Sequence, residues 1–162
     1  MKRIVLLLLI ILFSGSGWTG RYEYERDTTY IAIFMSRTDL ENSVSFLPGE
    51  RELKNTGKIY YRSPYIYINE RYKGVHVINN SDPAYPVCEG FILAPGCIDM
   101  AVKGDIMYLD NAVDLVSFDL TARTVTHRIP DVFPEPKPPH DFNYQSYDRP
   151  EGYVLVEWRK NN

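Results

Sequence analysis

From Gly57 to Ile129 the chain alternates apolar and polar residues in short runs, each closed by turn-forming residues. GKIYY, YIYIN, VHVIN and VCEGFIL make one set; IDMAV, IMYLD, LVSFD and TVTHRI make a second. A two-residue period is that of a strand with one face turned to a core. The pattern therefore predicts strands over 57–61, 65–69, 75–79 and 87–93, then over 98–102, 106–110, 115–119 and 124–129. Upstream, 30–34 reads as a further strand. Ser36 followed by Asp39 resembles a capping box, and Leu40, Val44 and Leu47 share one helical face. That spacing predicts a helix over 37–46, stopped by Pro48-Gly49. A last strand is expected in GYVLVEWRK, 152–160.

The two sets repeat one another. YIYINE, 65–70, matches IMYLDN, 106–111, at an offset of 41, and VHVIN, 75–79, matches LVSFD, 115–119, at an offset of 40. A four-stranded unit recurring about every 40 residues has the period of a propeller blade. Within the matched strands Val75, Val77, Leu115 and Ser117 fall on one face, and His76, Ile78, Val116 and Phe118 on the other. Such strands are apolar on both faces and need cover from neighbouring sheets. The expected fold is mainly β: two four-stranded antiparallel propeller-blade-like repeats (57–97 and 98–129), one short N-terminal helix and a final C-terminal strand. Repeat units need about three copies to bury a continuous core, so the helix and last strand, or another subunit, must complete the stack.

The first residues read as a leader and not as fold. Lys2 and Arg3 precede the apolar run IVLLLLIILF and the small residues of SGSGWTG, as in a signal peptide over 1–17 cut after Ser16 or Gly17. Ten apolar residues fall short of the ~20 a bilayer needs. No transmembrane span is expected in the mature chain, which is placed in the periplasm or on the cell surface. A polar leader, 18–34, follows. Without Lys2 and Arg3, sixteen basic residues face twenty-one acidic ones, a net charge of about −5. No basic cluster stands out, which argues against nucleic acid. Six prolines between Ile129 and Glu151 make 130–151 an extended linker ahead of the 152–162 strand and tail.

Chemistry-bearing patterns are sparse. Cys88 and Cys97 could form one disulfide in an oxidising compartment; the alternative is two buried thiols. His76, His127 and His140 are far apart, and no GxSxG, HExxH or P-loop spacing occurs. No catalytic residue, bound cofactor or metal is assigned. Calcium is the one ion weighed, because Asp99, Asp105, Asp110, Asp114 and Asp119 recur across the second unit, though they are also ordinary turn formers. Tyr60, Tyr61, Tyr65, Tyr67 and Tyr72 cluster around the first unit. Asp99, Asp110, Asp114, Tyr65 and Tyr67 are the candidate ligand surface.

The phrases YIYINERYKGVHVINNSDPAYP, GFILAPGCIDMAVKGDIMYLDNAVDLVSFDL and VFPEPKPP resemble the LVIVD-repeat proteins of Bacteroidetes-type bacteria over about 35–158. That family's phrase is a hydrophobic strand ending in Asp, often followed by Ser-Asp-Pro. Here Asn79 replaces the Asp in the first copy, and the second lacks the Ser-Asp-Pro turn. The resemblance implies a β-propeller-like cell-envelope protein with no established activity. Many relatives carry a lipobox Cys after the signal run; Ser-Gly-Ser-Gly stands there instead, so a soluble or peripherally bound form is expected. The expected function is a non-enzymatic protein-binding or scaffold module whose partner is another envelope protein or a second copy. The alternative is an envelope hydrolase or glycan-binding accessory with its site at Asp99, Asp110 or Asp114.

Overall fold

The computed structural model describes residues 30–139 and 149–161. The expected signal peptide over 1–17 and 18–29 of the expected polar leader lie outside the described residues, as do His140 and the rest of 140–148. In chain order the elements are β1 (Tyr30–Ser36), α1 (Arg37–Glu41), β2 (Ser45–Pro48), β3 (Thr56–Arg62), β4 (Tyr65–Glu70), β5 (Gly74–Asn79), β6 (Val87–Leu93), β7 (Met100–Lys103), β8 (Ile106–Asn111), β9 (Asp114–Asp119), β10 (Thr124–Ile129) and β11 (Tyr153–Lys160). The eight strands expected from the alternation all form, most within a residue or two of their expected ends. Among the described residues no helix is long and apolar enough to cross a membrane.

Strands β3 to β6 form an antiparallel meander, and β7 to β10 form a second. The first gains a fifth strand, because β2 pairs with the open edge of β6. The two sheets stack on one shared core that includes Tyr67, Val75 and Ile92 from the first and Met107, Val116 and Phe118 from the second.

Period-two alternation in β3 shows how they are oriented. Lys58 Nζ reaches Asp99 at 2.7 Å, the Tyr60 hydroxyl donates to the Val102 carbonyl at 3.1 Å, and Arg62 Nη2 reaches Asp105 at 3.2 Å. Both sets of positions climb together, so β3 lies along β7 in the same direction. At the far side the Arg123 guanidinium lies 4.2 Å over the Phe46 ring. The sheets are therefore stacked without being flipped, as consecutive blades are.

The short segment joining the sheets is held by the hairpin tips. Tyr72 N–H donates to the Cys97 carbonyl and Gly96 N–H to the Tyr72 carbonyl. Asn69 Nδ2 donates to the carbonyls of Gly74 and Cys97, and Asn111 Nδ2 to that of Pro95. Both asparagines are fully buried, and backbone carbonyls there need such donors.

The helix is half as long as its spacing predicts. Ser36 caps it through its hydroxyl, which accepts from Asp39 N–H at 3.1 Å. It ends at Glu41, where Asn42 and Ser43 turn their side chains back to the Thr38 and Leu40 carbonyls. Those local bonds compete with further helix. Ser45 to Pro48 extends instead, and Leu40 alone of the expected helical stripe is buried in α1.

The last strand starts no third unit and joins neither sheet. β11 pairs with β1 in a separate two-stranded ribbon. The ribbon covers the hairpin end of the stack: Leu40, Ala112 and Val156 form a small second core, and Lys73 Nζ meets Glu157 at 2.7 Å. The proline-rich stretch has no regular structure over its described part. It is tied down by Phe133 N–H on the Val113 carbonyl and by Trp158 Nε1 donating to the Pro136 carbonyl.

Candidate functional site

At the end of the stack away from the ribbon, the two sheets part and leave a cleft of about 260 Å³. Its apolar walls follow from the strand alternation, which turns Tyr65, Tyr67 and Val77 of the first sheet towards Phe118 of the second. The Tyr65 and Tyr67 rings stand 6.1 Å apart at 29°. Two ion pairs between the sheets frame the mouth: Arg62 with Asp105 at 3.2 Å on one side, Arg123 with Glu89 at 3.0 Å on the other. Glu89 also accepts from Asn79 Nδ2 at 3.0 Å and from the Tyr65 hydroxyl at 3.4 Å.

Tyr67 lies at the floor, 2% exposed. Burial pushes its phenol above the ordinary tyrosine range, and nearby Arg62 opposes that only in part. The hydroxyl therefore stays protonated as a donor, and among the described residues no group accepts from it. The cleft combines aromatic walls, one unspent donor, and a rim of two cations and two anions.

A second feature is the face of the first sheet that points away from the second. Ile59 faces Ile68 across the β3–β4 register, and Tyr61 faces Ile66, which pairs on to Ile78. Ile59 and Tyr61 are 64% and 62% exposed. Towards β6 the face is closed: His76 packs edge-on against Phe91, bonds Glu70 at 2.8 Å, and Arg51 lies over the Phe91 ring. The Tyr61 side is open.

Of the residues singled out from sequence, Tyr65 and Tyr67 meet in the cleft. The aspartates do not join them. Asp114 is fully buried, clasped by Arg37 at 2.9 Å and Arg128 at 2.5 Å. Asp110 accepts the Ile98 and Asp99 N–H groups at 2.8 and 2.9 Å; burial raises its carboxyl, and those two bonds offset part of the rise. Burial also pushes the Asp99 carboxyl upward, but Lys58 and the Met100 N–H together outweigh it and hold it below the usual range. Asp119 accepts two N–H groups of its own turn. Among the described residues no group of three or more metal-ligating side chains gathers.

Cys88 and Cys97 are both free thiols, so the disulfide is not formed. Cys97 is fully buried, which raises its thiol well above the usual range, with the Asp110 carboxylate adding to the effect. His127 lies on β10, away from the cleft lining. The rim residues Arg62, Glu89 and Arg123 were not anticipated. A signal for one pair existed, since Arg62 and Asp105 are 43 positions apart, close to the repeat offset. Comparisons with protein-family models, with curated proteins and with solved structures give no match.

Proposed function

We propose that this chain is an exported, non-catalytic protein-binding or scaffold module of the cell envelope, and that its partner docks on the open face of the first sheet. The observation that carries this reading is a mismatch between two equivalent faces. Sheets stacked unflipped use opposite faces of matched positions: Tyr67 points into the stack, while its counterpart Tyr108, 41 positions on, points out and is 37% exposed. By the same offsets Ile66 and Ile68 correspond to Met107 and Leu109, and Ile78 to Phe118. Met107, Leu109 and Phe118 are buried against the first sheet. The open face of the first sheet is thus the uncovered equivalent of the surface by which the second sheet packs.

A face of that kind fits another β-sheet, as a preceding blade would. A partner protein suits it better than a second copy, because the outward face of the second sheet puts Ser117 where the inner face of the first has Val77. The similarity to LVIVD-repeat proteins and the leader at 1–17 support an envelope address. The carboxylates of the hydrolase alternative, Asp99, Asp110 and Asp114, are engaged by lysine, backbone N–H groups and arginines respectively.

The test is a tagged full-length chain crosslinked in its native envelope and recovered for mass spectrometry, beside an Ile59→Asp, Tyr61→Asp variant. A stoichiometric protein captured by the parent and lost from the variant is the expected result. Equal capture by both, recovery of the chain alone, or no capture would overturn the proposed face.

A further inference from the structure

We infer that the cleft between the two sheets binds a neutral, hydroxyl-rich ring, a sugar residue, seated against Tyr65 with its hydroxyls bridging the rim and reaching the Tyr67 phenol. Three features of the cleft select this chemistry. The first is charge balance. Arg62, Arg123, Glu89 and Asp105 sum to zero, and each is already paired across the sheet gap at 3.2 or 3.0 Å. A charged ligand is attracted by one member of each pair and repelled by the other, whereas a neutral one meets no net charge and leaves both pairs in place.

The second is spare bonding capacity. A guanidinium carries five N–H donors and a carboxylate about four lone-pair sites. Each pair spends only part of that capacity and keeps planar donors and acceptors side by side at the mouth. Adjacent hydroxyls, each both donor and acceptor, match such a rim; ammonium or carboxylate groups match half of it. The third is the floor. Tyr67 is 2% exposed as a residue, yet its hydroxyl is not one of the buried atoms left without a partner; the tip opens on the cleft, where a ligand hydroxyl can accept from it in place of water. The aromatic walls suit the C–H face of a pyranose, and about 260 Å³ suits one ring and not a long ligand. The ring is either a free sugar or the end of a glycan chain.

The experiment is a titration of the ¹⁵N-labelled full-length chain, followed by amide shifts of Glu89, Thr121 and Arg123. The probes are glucose, N-acetylglucosamine and its trimer, with glycylglycine as a zwitterion and phenylacetate as an anionic ring. Saturable shifts with the neutral sugars alone are expected, at millimolar midpoints. Tighter binding of the trimer than of N-acetylglucosamine would assign the site to a glycan end, and equal midpoints to a free sugar. Tyr67→Phe keeps the ring and should weaken the sugar about 3- to 10-fold. Asp105→Asn, on a residue whose side chain is 71% exposed, unbalances the rim and should create a response to phenylacetate. The inference is overturned if glycylglycine or phenylacetate shifts the parent's cleft amides as strongly as the sugars. It is equally overturned if no probe gives a saturable shift up to about 100 mM.

Discussion

At the scale of single residues, the polar groups of this protein mostly hold its parts together. Asp114 is the clearest case: its buried carboxylate joins Arg37 at the start of α1 to Arg128 of β10, and it also accepts the Asp131 N–H. Asp114→Ala leaves the partly buried Arg128 without its counter-ion and Arg37 with only the more exposed Glu41 and Asp131, and should cost about 3–5 kcal/mol, measured by urea unfolding; a loss under about 1 kcal/mol would make the pair incidental. Glu157 offers a test by pH. Burial raises its carboxyl, but Arg159 and Lys73 together outweigh this and hold it below the ordinary range. A depressed carboxyl stabilises the fold above its unfolded value, about 4.3, and that contribution is lost as pH falls through the folded value. Glu157→Gln should therefore lower the urea midpoint at pH 7 and converge with the parent towards pH ~3. Parallel midpoint curves would contradict the assignment.

At the scale of elements, alternation made the strands legible, and competition between local bonds hid the rest. Leu40, Val44 and Leu47 satisfy a helical spacing, yet Asn42 and Ser43 between them are the residues that fold back on the helix end. The strand that replaces the second half of the helix depends on a partner edge, β6, whose paired residues run from Ser45↔Leu93 to Pro48↔Gly90, far beyond the reach of local spacing. Gly74 at the start of β5 shows a similar dependence. Its φ is +145°, and a Cβ there would lie 2.0 Å from the Ile92 carbonyl oxygen. Because that neighbour is backbone of the paired strand, Gly74→Ala should destabilise by more than about 1 kcal/mol in the same unfolding assay. A neutral result would mean that β5 and β6 pair more loosely than the register indicates.

At the scale of the whole molecule, the repeat offsets of 41 and 40 carried the architecture, because they match strands whose opposite faces then pack in an unflipped stack. What the offsets could not tell is how two units end. The ribbon of β1 and β11 closes the hairpin end, the loop around Arg51 covers Phe91, and the Ile59–Tyr61 side is left open. The cleft was half legible: two tyrosines were visible as a cluster, but the rim joins residues from both units and exists only once the sheets are stacked. The stacking is thus the central claim. The most direct measurement is a ¹³C-edited NOE spectrum of the full-length chain. Cross-peaks from the Phe46 ring to the Arg123 side chain, and from the Tyr60 ring to Val102, are predicted, because these bridge β2 with the β9–β10 turn and β3 with β7. Well-resolved sheets with neither set of cross-peaks, or with Tyr60 near Asp119 instead, would contradict the stack and with it both proposed surfaces.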